Sequence, residues 1–204
     1  MTTITKKIAL HLASLVLAVA AVTSAAEAQG PASMATGKRT TQPVGHYQFC
    51  LTQPQECRQK TASARPVALT RSLWGQLIAV NNAVNTRITP RTDMEIWGQE
   101  EVWSFPTTVG DCEDYVLEKR RELMALGIPA GSLLITVVRQ TNGDGHAVLT
   151  VRTGGGDYIL DNLEPRILAW QDTDYTFLKR QSETNSGTWV SINTGRAIAV
   201  GSVK

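Results

Sequence analysis

Between residues 112 and 162 the apolar residues change period, and that change restricts the chain to a mixed architecture. Wound at 3.6 residues per turn, "CEDYVLEKRRELMAL" (112–126) sets Cys112, Tyr115, Val116, Leu123 and Leu126 within an arc of about 100°. Asp111 stands at the N-cap position, and Gly127 with Pro129 ends the run. Beyond it the spacing is that of strands. "LLITVVRQ" (133–140) is β-branched and apolar, "TNGDG" (141–145) is hairpin-turn chemistry, and "HAVLTVR" (146–152) alternates. "TGGG" (153–156) turns again, "DYILDN" (157–162) is a third short strand, and "TWVSINTG" (188–195) adds another. Upstream, residues 69–87 place Leu69, Leu73, Leu77, Val80 and Val84 at helical spacing. Residues 90–110, with Trp97, Trp103, Pro106 and Gly110, read as irregular. The expected fold class is α+β, with N-terminal helices packed on one face of an antiparallel sheet.

The N-terminus has a different character. Lys6 and Lys7 precede the apolar run Ile8–Val22, followed by Thr23, Ser24 and the small-residue exit Ala26-Glu27-Ala28. That is the layout of a secretory signal peptide over residues 1–28, cleaved near Ala28. The run is short for a membrane span of about 20 residues. Residues 29–43, rich in Gly, Pro, Ser and Thr, read as a flexible arm, and 44–204 as a single domain. Export implies a periplasmic or secreted protein with no membrane span in the mature chain. Loss of Lys6, Lys7 and Glu27 takes the net charge from +2 to +1. No basic run with interleaved aromatics is present, which argues against a nucleic-acid partner.

An oxidising compartment gives the cysteines different fates. Cys50 and Cys57, in "FCLTQPQECRQ", read as a disulfide whose short loop stabilises by about 2–3 kcal/mol on the chain-entropy model. Cys112 is left without a partner. His146 begins a strand directly after a turn, and Asp161 ends the next strand. If those strands pair, the start of one lies beside the end of the other, so His146 meets Asp161. A thiol at the tip of the 112–126 helix needs only to dock at that edge. Cys, His and Asp so placed suit nucleophilic attack on a carbonyl: the imidazole takes the thiol proton and the aspartate orients the imidazole. Helix N-terminal N–H groups favour a thiolate and an oxyanion. Taken singly, each residue has a plain structural reading as core filler, edge histidine or turn former. Lys119 falls in the buried arc and must snorkel or find an acidic partner.

"GDCEDYVLEKRRELMALGIP", "LLITVVRQTNGDGHAVLTVRT" and "GDYILDN" resemble the bacterial transglutaminase-like cysteine proteinases, over roughly residues 45–180. The resemblance implies a papain-like, transglutaminase-type fold and an exported thiol protease. It places the catalytic cysteine on Cys112, the histidine on His146 and the aspartate on Asp161. It further implies calcium, with Asp111, Glu113 and Asp114 at ligand positions. The substrate it implies is an exported or surface protein, a large adhesin in the best-understood members, with consequences for biofilm attachment. The regulator it implies is an inhibitory membrane receptor that senses a cyclic dinucleotide.

The acidic residues pose a problem of their own. Carboxylates beside a thiol raise its pKa, while a helix dipole and a protonated His146 lower it. A calcium ion would resolve the conflict, although three side chains do not fill a shell of about 6–8 oxygens. The plainer reading is that acids offset a helix dipole by about 0.3–1 kcal/mol each. Gln99 and Trp103, in the segment before the helix, are candidate oxyanion donors. Two other functions share the same sequence features: a transglutaminase or amidase using the same acyl-enzyme, and a binding module with a vestigial triad.

Overall fold

The computed structural model describes residues 32–193; the expected signal peptide lies outside the described residues, as do 29–31 and 194–204. The chain runs through strand β1 (Thr36–Thr40), helices α1 (Val44–Thr52), α2 (Pro54–Cys57) and α3 (Arg71–Arg87), and strand β2 (Thr89–Pro90). Helix α4 (Asp93–Trp97), strand β3 (Val109–Gly110) and helix α5 (Cys112–Ala125) follow. The C-terminal half is strands β4 (Leu133–Arg139), β5 (Gly145–Thr153), β6 (Gly156–Leu160), β7 (Leu168–Ala169), β8 (Thr176–Ser182) and β9 (Asn185–Ile192).

Seven strands form one sheet in the order β1-β9-β8-β4-β5-β6-β7, and each neighbouring pair is antiparallel. The α+β expectation holds. Helix α3 starts where the Thr70 hydroxyl accepts from the Leu73 N–H at 3.0 Å, and it buries Leu73, Leu77, Val80 and Val84. Leu69 falls outside that cap and is exposed. Helix α5 packs between α3 and the strands β4 and β5. Strand alternation sends Leu133, Ile135, Leu149 and Val151 into the core shared with the helices. It sends Val138, Val148, Ile159 and Phe177 into a second cluster on the other face. Each fully buried leucine, such as Leu77 or Leu149, contributes about 1.5–3 kcal/mol.

The disulfide between Cys50 and Cys57 is present and ties α1 to α2 with Cα atoms 5.6 Å apart. Beside it lies His46, whose ring packs edge-on against Trp103 and Trp189. Burial lowers the His46 pKa to about 4 and the nearby Arg120 charge adds to the effect, so the ring stays neutral. Gly45 is required here, since a Cβ would stand 2.3 Å from the Trp103 ring.

Three segments differ from the sequence expectation. Residues 36–40 of the supposed arm form β1, held by the free edge of β9. A strand that is polar throughout is stabilised by backbone pairing and leaves no apolar period to read. Residues 93–97, expected to be irregular, form α4. Its signal is a capping box, in which Thr92 and Glu95 bond each other's backbone N–H, closed by Gly98 at φ 69°. Strand β8 was missed because Lys179 and Arg180 interrupt its pattern; Lys179 reaches the Thr41 carbonyl at 2.9 Å, while Arg180 is buried.

Candidate active site

Two structural units meet at the edge of the sheet. The first is the β5–β6 hairpin. Its register ends at Leu149↔Leu160; continued, it sets Asp161 opposite Val148, so His146 and Asp161 are diagonal neighbours. His146 Nε2 lies 2.8 Å from Asp161 Oδ1, and both side chains are buried. Since the carboxylate accepts, Nε2 carries the proton and Nδ1 holds the lone pair. Asp161 Oδ1 also accepts from the Leu163 N–H at 3.0 Å, and Oδ2 accepts from the Tyr175 hydroxyl at 2.6 Å. The Asp161 carbonyl is held by Asn85 Nδ2 at 2.7 Å. Burial acts to raise the Asp161 pKa. The hydrogen bond and charge of His146, with the Leu163 N–H and Tyr175 hydroxyl, outweigh it and hold the carboxyl below its ordinary value.

The second unit is the tip of α5. Asp111 occupies the N-cap position with extended backbone, yet its side chain makes no capping hydrogen bond. Cys112 opens the helix, half-buried, as the free cysteine among the described residues. The sulfur faces the backbone N–H of Ala147, the residue after His146, which brings the helix tip to the start of β5. Its S–H donates to Glu113 Oε2 at 3.1 Å. Burial pushes the thiol pKa well above its ordinary value, and the Glu113 charge and hydrogen bond push it further.

The acidic residues around the sulfur are crowded. Oxygens of Asp93, Asp111 and Glu113 all lie within 4.8 Å of one another. Burial raises the pKa of each, to about 9 for Glu113, and neighbouring carboxylates add to the rise in Asp111 and Glu113. Asp93 Oδ1 and Asp111 Oδ1 are buried without a hydrogen-bond partner among the described residues. Asp114, expected in this group, is turned away. Its Oδ1 accepts from the Ser104 N–H at 2.8 Å, and its side chain packs where Gly110 has no Cβ. Burial still raises its pKa to about 7. Asp93 joins Asp111 and Glu113 in the cluster that the fold brings together. It lies 18 residues before Asp111 on a helix that sequence periodicity did not reveal, although the Thr92–Glu95 capping signal was there to be read.

The oxyanion candidates are not joined to the sulfur by any hydrogen bond among the described residues. Trp103 is a core aromatic packed on His46 and Trp189, and its Nε1 is buried without a partner. Gln99 lines a surface cavity of about 390 Å³ with Val44, Phe49 and Glu101. Lys119 neither snorkels nor forms an ion pair. It is 0% exposed, with Nζ 5.9 Å from the Tyr115 ring centroid and no hydrogen-bond partner. Burial lowers its pKa to about 7, against the pull of the Asp161 charge.

A thiol at a helix tip beside a buried imidazole–carboxylate pair is the arrangement of a thiol hydrolase, and comparison with known proteins identifies the class. The family model of the bacterial transglutaminase-like cysteine proteinases (BTLCP) matches residues 36–197. The chain belongs to this family. The proteinase is similar in structure to calcium-bound LapG of Legionella pneumophila, with 30% identity and a TM-score of 0.50, over 58% of this chain and 68% of that one. Two further structures of Legionella pneumophila LapG, one EGTA-treated, give 26% identity and a TM-score of 0.49. They cover 74% of this proteinase and 80% and 81% of their own chains. Among curated proteins there is no match. The fold and the chemistry thus agree on a cysteine protease of the transglutaminase-like type, and no described helix is long and apolar enough to cross a membrane.

Proposed function

We propose that Cys112, His146 and Asp161 are the catalytic triad of an exported endopeptidase. The observation that carries this reading is the 2.8 Å His146–Asp161 bond at the sheet edge where the Ala147 N–H faces the Cys112 sulfur. His146 Nδ1 takes the thiol proton, and the thiolate attacks the substrate carbonyl carbon. The tetrahedral oxyanion is received by backbone N–H groups at the α5 tip. Collapse breaks the C–N bond, the amine departs with the proton from His146, and a thioester remains. Water, deprotonated by the same imidazole, hydrolyses the thioester and restores the thiol.

In the form described, Glu113 holds the thiol protonated. Asp93, Asp111 and Glu113 offer three oxygens converging on one point, two of the carboxylates with a buried orphan oxygen, which suits a hard dication. These three residues would hold calcium, and the similarity to calcium-bound LapG supports that choice. An ion held by these residues would supply positive charge beside the sulfur, and Glu113, as one of its ligands, would no longer need the thiol proton, so a thiolate at Cys112 would cost less.

Export through the N-terminal signal makes an exported or surface protein the natural substrate, a large adhesin by family resemblance, and a membrane receptor the natural regulator. The deciding experiment incubates purified protein with the adhesin fraction of the same cells, with and without calcium, and analyses products by mass. Two new fragments, lost in Cys112→Ala and His146→Ala, support the reading. A cross-link or a mass change of one deamidation would replace it with transglutaminase or amidase chemistry. Iodoacetamide alkylation of Cys112 no faster than that of a free cysteine would exclude catalysis altogether.

A further inference from the structure

The Asp161 carboxylate has two oxygens with separate duties. Oδ1 serves His146 Nε2 at 2.8 Å and the Leu163 N–H at 3.0 Å. Oδ2 accepts from Tyr175 Oη at 2.6 Å, its hydrogen-bond donor among the described residues. Tyr175 immediately precedes β8, and the pairings Arg139↔Thr176 and Arg139↔Gly145 bring it across the end of β4 to the hairpin mouth. Its ring lies 5.5 Å from the His146 ring, tilted by 54°. One side chain therefore bonds the carboxylate and covers the imidazole that the carboxylate orients. A buried carboxylate oxygen without a donor is strongly disfavoured, so loss of this hydroxyl would leave Asp161 free to rotate toward another donor.

We propose that Tyr175 is the positioning residue of the His146–Asp161 pair: its hydroxyl fixes the carboxylate plane, and its ring limits imidazole rotation. Together they keep the Nε2–H tautomer, with the Nδ1 lone pair turned to Cys112. This proposal rests on the triad reading given above. Burial and the Asp161 charge hold the phenol well above its ordinary pKa, so the hydroxyl donates throughout the working range. Tyr175 touches neither substrate nor sulfur in this role; it acts through Asp161.

The test uses the full mature chain with calcium chloride present. Two readouts apply: the second-order rate of Cys112 alkylation by iodoacetamide, and the ring ¹⁵N NMR shifts of His146. Tyr175→Phe removes one oxygen and is expected to slow alkylation about tenfold, the loss expected for one hydrogen bond to a charged group. Neutral His146 is expected as a single Nε2–H tautomer in the wild type and as a mixture in Tyr175→Phe. Adding Tyr175→Phe to Asp161→Asn is expected to cost nothing further, because the hydroxyl works only through that carboxylate. An alkylation rate within twofold of wild type in Tyr175→Phe, or a mixed tautomer in the wild-type protein, overturns the proposal and leaves the triad standing. If the variant does not fold, a mixed tautomer in the wild-type spectrum still overturns the proposal. Unchanged alkylation in Asp161→Asn overturns the triad reading and this proposal with it.

Discussion

The hairpin mouth and the helix tip meet where the Ala147 N–H faces the Cys112 sulfur, but they differ in how their charge is balanced. At the mouth, each oxygen of Asp161 has a donor and the carboxyl stays ionised below its ordinary pKa. At the tip, three carboxylates crowd together, their pKa values are raised, and two have a buried oxygen without a partner. One half of the machinery is complete as folded. The other holds its thiol protonated and calls for a cation. On the proposed triad, the base is set by the fold and the nucleophile is conditional, which would put control of the enzyme at the helix tip.

The largest expected effect breaks the finished half. Asp161→Asn should lower cleavage on the order of 10³–10⁴-fold while leaving calcium-induced stabilisation intact, measured by product formation and by thermal melting with added calcium. A parallel loss of the calcium response would show that the two units are one. Next in size is the unfinished half. Glu113→Gln should abolish the calcium-dependent rise in melting temperature, which in the wild type is worth about 2.7 kcal/mol at a hundred times the dissociation constant. Asp93→Asn should do the same, whereas a conserved response in Asp93→Asn would return the site to the Asp114 side.

A third effect separates the halves by pH. In chelator the tip carboxylates bind protons in the folded state that they release on unfolding, because the folded pKa values of Asp93, Asp111 and Glu113 are raised, to about 9 for Glu113. The sign is fixed: stability falls as pH rises from about 4.5 toward 9, since the folded chain carries the extra protons. Calcium held at the tip as proposed would displace those protons, so the gap between melting curves in calcium and in chelator should widen with pH. A gap that narrows over that range would remove the metal from the tip. The smallest effect is a control. Gln99→Ala should leave activity within about twofold, in keeping with the near-neutral outcome of most surface substitutions. A larger fall in turnover would restore Gln99 as an oxyanion donor.

The elements with a regular apolar period were legible before any coordinates: α3, α5, β4, β5 and β6 lie where the sequence places them. So was the His146–Asp161 meeting, because a hairpin is local and its turn chemistry sets the partners. What escaped lies on elements that carry no apolar period. Asp93 joins Asp111 through a short helix held by its cap, with no apolar stripe. Tyr175 is only 14 residues from Asp161, but it reaches it from the start of β8, a strand whose pattern the sequence hides. Strand β1 is polar and exists because β9 leaves an edge to fill. Trp103 sits in the segment the sequence reads as irregular, yet its indole packs into the core around His46.

That first strand has a practical meaning for the life of the molecule. Proteolytic trimming up to Thr36 would already remove Met34, which is buried in the second cluster with its N–H on Asp157 Oδ2, and a cut a few residues later would strip away the outermost ribbon and uncover β9 from Trp189 to Ile192. Bare backbone of that kind invites a second chain to dock alongside. An over-trimmed enzyme should therefore reveal itself first by self-association, with its catalytic residues untouched.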